Sequence, residues 1–314
     1  MFKKFKSGVL IIILAVLMII YLFVRYSGSD DRTFRDKILT FDANSITQIL
    51  IIDPKSNEGP VELVKSGNQW MVNIGNREYM ADTNNIKNIL SNLSDLPTKR
   101  YAGKDKDSWI KYEVTDTLAT LVTLKDSKKT VAEILIGKFS YSMANNQQQQ
   151  MQTRQQRGDM TTYVRMLDEN DVYATEGFLK MSLSSDVDAY RNRNLANINP
   201  GDITRITITE LGSRNVYENQ YGKWMQNGIP VDSIMMAEYT TNVASLSGSK
   251  FVDQEAMQST FTHSMTIEGN NFNPVEIQAY PSLDTNIAYI ISSSVNPGSF
   301  FNGKEGGLFE KIWD

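Results

Sequence analysis

The chain carries one run of features twice, and any fold it adopts must accommodate both copies. Ile46-Thr47-Gln48-Ile49-Leu50-Ile51 is followed by Trp70-Met71-Val72-Asn73 and a helix-like run. Ile203-Thr204-Arg205-Ile206-Thr207-Ile208 is followed by Trp224-Met225-Gln226-Asn227 and another such run. The offset is 157 positions at Ile46/Ile203, 154 at Trp70/Trp224 and 150 at Asp82/Asp232. Solenoid repeats recur every 20–50 residues or so, so an offset this long indicates a duplicated domain. A chain of 314 residues fits two units of about 150 residues each.

The leading segments sharpen the boundaries. Phe34-Arg35-Asp36-Lys37-Ile38-Leu39 matches Tyr190-Arg191-Asn192-Arg193-Asn194-Leu195 as aromatic, arginine, polar, basic, any, leucine. Unit A is therefore expected over 34–189 and unit B over 190–314. In unit B, Ile206 and Ile208 alternate with Arg205 and Thr207, the period of two of a half-buried strand. Strands around Val61–Val64 and Gln69–Asn73, joined through Ser66-Gly67-Asn68, read as a hairpin. Asp82 and Asp232 are placed to cap helices, since a carboxylate can accept hydrogen bonds from unpaired first-turn N–H groups. Ile86, Ile89, Leu90, Leu93 and Leu96 share one helical face, and Met236, Tyr239, Val243 and Leu246 take the matching places. Further strands close each copy over Ala119–Leu124, Val131–Ile136, Thr161–Met166 and Val172–Ala174, and over Ser264–Ile267, Val275–Ala279 and Ile287–Ser292. Short helices are expected near Gly177–Leu183 and Leu308–Trp313. Connections this short predict mostly antiparallel pairing, an α+β class with two sheet-plus-helix units.

The N-terminus departs from globular patterning. Lys3, Lys4 and Lys6 precede an apolar run from Val9 to Val24. Residues 1–7 read as a cytoplasmic basic tail, 8–26 as a transmembrane helix and 27–33 as a linker, because crossing a bilayer takes roughly 17–25 apolar residues. The run exceeds the roughly 7–15-residue core of a secretory signal, and no small-x-small cleavage site follows. The lysines place the N-terminus inside, which predicts a single-pass protein of the bacterial inner membrane with its C-terminal region periplasmic or extracellular. The net charge of −4 and the lack of a basic stripe argue against nucleic acid as a partner. With no cysteine there are no disulfides, thiolate metal sites or thiol nucleophiles.

Candidate chemistry is sparse. His263 is the one histidine. Asp168-Glu169-Asn170-Asp171 lacks the glycine and distal glutamate of a calcium loop and reads as a turn. Asp105-Lys106-Asp107 reads as a solvated loop. Gly303-Lys304-Glu305-Gly306-Gly307 lacks the spacing of a phosphate loop. The recurrence of Arg35/Arg191 and Lys37/Arg193 fits a structural ion pair opening each unit. Trp70 and Trp224 recur too, which fits packing, or a platform on which a sugar could stack. Residues 145–158 form a Gln-rich insertion of unit A, and Gln148 and Gln149 are its candidate partner contacts. No catalytic residue, cofactor or metal site is expected, so the chain reads as a non-enzyme.

The N-terminal span, the Ile-Thr-x-Ile-x-Ile strand, the tryptophan hairpin, the capped helix leading to Lys99-Arg100-Tyr101, then Leu135-Ile136-Gly137 and Val172-Tyr173 together resemble the bacterial family known as domain of unknown function 4340. Unit B matches less closely, lacking the isoleucine-glycine strand ending. Members are often encoded near ABC transporters of the gliding-motility type. The resemblance thus implies an accessory or scaffold component of an ABC-type transport or envelope complex, touching the membrane and the transporter's membrane subunits. An envelope glycan or exported-ligand binding module is the alternative. The sequence leaves the oligomeric state open.

Overall fold

Alternation of apolar and polar residues builds the first sheet of the computed structural model, which describes residues 34–142 and 159–313, positions 58, 76 and 253 apart, together with residues 14 and 16–19. In unit A the strands are β1 (Lys37–Thr40), β2 (Gln48–Ile52), β3 (Val61–Ser66), β4 (Gln69–Ile74) and β5 (Arg77–Met80). After helix α1 (Thr83–Ser94) come β6 (Asp95–Pro97), β7 (Arg100–Gly103), helix α2 (Lys106–Lys111), β8 (Thr120–Lys125), β9 (Thr130–Ser142), β10 (Asp159–Met166), β11 (Val172–Glu176) and helix α3 (Leu179–Ser182). Nine of the strands form one antiparallel sheet in the order β5-β4-β3-β2-β8-β9-β10-β11-β7, and β1 pairs with β6 beside it.

Unit B repeats the order. Its strands are β12 (Ile203–Glu210), β13 (Ser213–Gln220), β14 (Lys223–Gln226), β15 (Ile229–Pro230), β16 (His263–Gly269), β17 (Val275–Pro281), β18 (Tyr289–Ser293) and β19 (Phe300–Asn302). They pair antiparallel as β15-β14-β13-β12-β16-β17-β18-β19. Helix α4 (Ser233–Ala244) lies between β15 and β16 in sequence, as α1 follows β5, and α5 (Leu308–Trp313) ends the described chain.

The two long helices, α1 and α4, each begin on an aspartate. Asp82 accepts from the N–H groups of Asn84 and Asn85, and Asp232 from those of Ile234 and Met235. Ile86, Ile89, Leu90 and Leu93 of α1 are buried with Ile49, Ile51 and Trp70 in one core. Met236 and Val243 of α4 join Ile206, Trp224 and Ile277 in a second. Burial of such side chains contributes about 1.5–3 kcal/mol each, so every unit has a substantial core of its own.

Several local expectations change. Asp105 is not part of a loop: it caps α2 by accepting from the Ser108 N–H, and these backbone and side-chain hydrogen bonds lower its carboxyl pKa. Helix α1 stops at Ser94, three residues before Pro97, because Asp95–Pro97 leaves to pair with β1. Strands β1, β5 and β7 carry too few alternating residues to show in the sequence.

The expected fold class, headed by a transmembrane helix, is corrected. The described protein is mostly antiparallel β-sheet, and no helix among the described residues is long and apolar enough to cross a membrane. Of the span expected over 8–26, only Leu14 and Val16–Ile19 are described, as helix. The tail over 1–7, the linker over 27–33 and the rest of the span lie outside the described residues. The single-pass inner-membrane location, with a cytoplasmic N-terminus and a periplasmic or extracellular remainder, falls with the span. The insertion over 145–158 also lies outside the described residues.

Gly137 shows why one sequence landmark is a glycine. It sits in β9 where the chain after α2 crosses the strand, and the Lys138 N–H donates to the Tyr112 carbonyl at 2.8 Å. A Cβ on Gly137 would collide with the Tyr112 oxygen and approach Val114 Cγ1 to 2.7 Å and the Glu113 oxygen to 2.8 Å. Gly137→Ala is expected to destabilise the protein by about 1–3 kcal/mol, read by urea denaturation against wild type.

Candidate docking site at the joint between the units

The segment leading into unit B is built as much into unit A as into its own unit. Asp186 opens a short turn by accepting from the Asp188 N–H. The chain then runs extended past the end of β5 and the start of α1. The Tyr190 carbonyl accepts from the Asp82 N–H at 2.8 Å, and the Asn192 N–H donates to the Met80 carbonyl at 2.8 Å. Asn85 Nδ2 donates to the Ala189 carbonyl at 3.2 Å. Ala81 and Arg191 thus form an isolated antiparallel bridge. The Tyr190 ring is buried in the core of unit A, and its hydroxyl donates to the Ser184 carbonyl at 2.8 Å. Burial, with Asp186 nearby, pushes the Tyr190 pKa well above the ordinary phenol value.

Arg191 closes the joint. Its guanidinium lies 4.0 Å from the ring centre of Tyr79 in unit A and 3.6 Å from that of Phe251 in unit B. Nη1 pairs with Asp188 at 3.1 Å, and Nη2 donates weakly to Ser299 Oγ at 3.4 Å. Nε is buried without a hydrogen-bond partner. Such a penalty is tolerable because guanidinium is weakly hydrated and stacks on aromatic faces. Arg193 lies beyond Phe251, 4.8 Å from its ring centre, and donates to the Ser249 carbonyl.

Beside this joint lies an open cleft of about 970 Å³, bordered by Arg77, Glu78 and Tyr79 on one side and by Asp188, Phe251 and Phe300 on the other. Its unit A wall is β5, the edge strand of the nine-stranded sheet. The cleft therefore offers a strand edge, two aromatic borders and charges of both signs. That inventory suits an extended polypeptide.

The residues singled out in the sequence fall elsewhere. Trp70 and Trp224 are 2% and 6% exposed and belong to the two cores, so neither presents a face to a sugar. Gln148 and Gln149 lie outside the described residues. His263 is buried edge-on against Tyr289, Phe309 and Trp313, with Nδ1 2.9 Å from Thr262 Oγ1. Glu169, in the turn between β10 and β11, receives both terminal nitrogens of Arg35 at 2.8 Å. Lys37 pairs with Asp95 at 2.5 Å. Among the described residues no group of three or more His, Asp or Glu could hold a metal ion. The joint was within reach of the sequence only as the recurrence of Arg35/Arg191. Tyr79, the ring that makes Arg191 a clamp, has no aromatic counterpart in unit B and gave no signal.

The family described as a domain of unknown function (DUF4340) matches residues 70–262, more than half of the chain. The chain belongs to this family. The DUF4340 region starts at Trp70 in β4 and stops one residue before β16, so Tyr79, Tyr190, Arg191 and Phe251 lie inside it and Ser299 and Phe300 beyond it. No curated protein and no solved structure matches the chain.

Arg191→Ala is expected to cost about 2–4 kcal/mol, since it removes a buried, doubly stacked cation and leaves Asp188 unpaired. Arg191→Lys should recover only part of this, because ammonium lacks the stacking plane. Urea unfolding monitored by tryptophan fluorescence reads both, and in Arg191→Ala the two units should unfold in separate steps. A pH dependence follows from Tyr190. Its folded pKa is raised, so its contribution is complete below about pH 10 and is lost as pH climbs past the value of the unfolded chain. Tyr190→Phe should lose about 1 kcal/mol at neutral pH with the Ser184 hydrogen bond, and should decline less steeply above about pH 10.

Proposed function

We propose that the protein is a non-enzymatic accessory or scaffold that holds an extended segment of a partner polypeptide in the cleft between its units. The partner class is a component of an ABC-type transport or envelope complex, such as a transporter subunit. The observation that supports this reading is the position of β5. It is a sheet edge facing an open cleft of about 970 Å³, in line with the Ala81–Arg191 bridge where strand addition has already begun. An incoming strand would continue that bridge along β5, taking main-chain hydrogen bonds for affinity and the Tyr79, Phe251 and Phe300 borders for side-chain selection. The glycan-binding alternative would use the tryptophan hairpins or the cleft between the units, and the burial of Trp70 and Trp224 removes the hairpin platforms.

Replacing Glu78 by a photoreactive phenylalanine derivative in intact cells tests the reading. The expected result is a crosslink to one transport-complex subunit, identified by mass spectrometry and absent when the same group stands at exposed Leu283 on unit B. Crosslinks no different between the two positions would overturn it.

A further inference from the structure

One place in the duplicated fold is closed core in unit A and an open cavity in unit B. The strand registers align the two. Ile49 and Ile51 of β2 lie opposite Leu63 and Val61 of β3. Ile206 and Ile208 of β12 lie opposite Tyr217 and Asn215 of β13. Ile206 and Ile208 are the counterparts of Ile49 and Ile51, so Tyr217 stands where unit A has Leu63, and Asn215 where it has Val61. On the helix, Met236 and Tyr239 take the places of Ile86 and Ile89. The unit A residues at these positions are all fully buried in one core. In unit B, Asn215, Tyr217 and Tyr239 are only half-buried, and a cavity of about 460 Å³ opens between α4 and the sheet.

Strand alternation puts a charge into this cavity. Successive side chains of a strand point to opposite faces, so Glu210 falls on the same face of β12 as the core residues Ile206 and Ile208. Asp232 adds a second carboxylate at the start of α4, where its Oδ1 accepts both first-turn bonds. Neither carboxylate forms an ion pair with a described residue. No lysine or arginine among the described residues lines the cavity.

Three aromatic residues complete the wall: Tyr217, Tyr239 and Trp313. The Tyr239 hydroxyl donates to the Ile312 carbonyl at 2.6 Å, which ties its ring to α5. Burial raises the pKa of both phenols, and the nearby Glu210 carboxylate adds to the rise in each. Both rings are therefore neutral at physiological pH and stand within the field of Glu210. Ile208 and Met236 supply the apolar part of the lining. Small-molecule sites have volumes of roughly 300–1,000 Å³ and combine an apolar wall with a few polar groups, as this cavity does. Its polar groups are specific in sign. An unpaired carboxylate attracts a cation, and an aromatic face attracts the same cation through its quadrupole. A thioether such as that of Met236 adapts to the shape of an apolar ligand.

We infer that the unit B cavity is a binding site for a small organic amine, a cationic nitrogen carried on an apolar body. Glu210 and the Tyr217 ring take the nitrogen, and Ile208, Met236 and Tyr239 take the body. A lysine side chain of a partner protein brings the same charge on a bare four-carbon stem, which leaves most of the apolar wall uncovered. Unit A has no such site, because leucine and isoleucine close the same space. The cavity is separate from the β5 cleft and needs no polypeptide partner, so this inference and the proposed function can each fail alone.

Isothermal titration calorimetry on the full chain at low ionic strength tests the inference, with phenylbutylamine as the probe. The amine should bind with a Kd of about 1 mM or tighter. Phenylbutanol, the same body without the charge, should bind at least about tenfold more weakly, and so should an acetylated lysine methylamide. Glu210→Gln should weaken the amine at least about fivefold and leave the alcohol unchanged. Tyr217→Leu, which copies the residue unit A has at this place, should also weaken the amine more than the alcohol. Glu276→Gln, on an exposed position of β17, should bind as wild type does. No saturable binding of the amine, an alcohol or lysine derivative that binds as tightly, or a Glu210→Gln chain that behaves like Glu276→Gln would overturn the inference. The comparison of amine with alcohol is made on wild type, so a variant that fails to fold leaves the test standing.

Discussion

Arg191 held between Tyr79 and Phe251 ties two otherwise separate cores into one molecule. Each unit buries its own tryptophan, its own central strand and its own helix face, so neither core needs the other. What joins them is a short segment whose tyrosine is buried in unit A and whose arginine is stacked from both sides. A guanidinium suits this position because it is flat, permanently charged and weakly hydrated. Stacking on two rings gives it electrostatic attraction without full burial of an unpaired charge. The cleft beside it is lined by residues of both units and by Arg191 itself.

The duplication explains why the joint looks as it does. A unit of this fold leaves a strand edge and a helix start at one end, and an arginine backed by aromatic rings at the other. One copy placed after another lets the second supply the segment that covers the first. The covered and uncovered versions of the same surface then differ in composition. Asn84 and Asn85 stand beside a polar backbone at the joint, while Ile234 and Met235 stand in solvent. Polar residues where the partner is a backbone, and apolar ones where the surface is open, are the reverse of what solvation alone would select.

A second buried arginine fastens unit A internally. Arg165 is buried, donating to the Val114 and Glu169 carbonyls and to Asp116, with its guanidinium 4.0 Å from the Trp109 ring centre. Burial lowers its pKa against the opposing pull of Asp116. It anchors α2 and the β10–β11 turn, as Arg191 anchors the joint. The recurring use of buried arginines here is mechanical: each fastens a loop that has too few apolar residues to fasten itself.

The sequence alone determined the repeat, the two helix caps, the buried helix face and the strands at the centre of each sheet. These depend on periodicity and on short-range hydrogen bonding, which a chain carries residue by residue. It could not place the edges. Strand β5 is four residues long, β15 two, and such strands are fixed by the neighbour they pair with rather than by their own alternation. Nor could it assign Tyr190, which alignment puts at the head of unit B and packing puts in the core of unit A. Trp70 and Trp224 read equally as packing residues or as a platform, because a tryptophan in a hairpin has the same local signature whichever face of the sheet is covered. The expected span over 8–26 rested on apolar length, and the described residues hold no helix that long. Only the tertiary structure decided which aromatic meets which arginine, because Tyr79, Arg191 and Phe251 are far apart in sequence and are brought together by the docking of one sheet beside another.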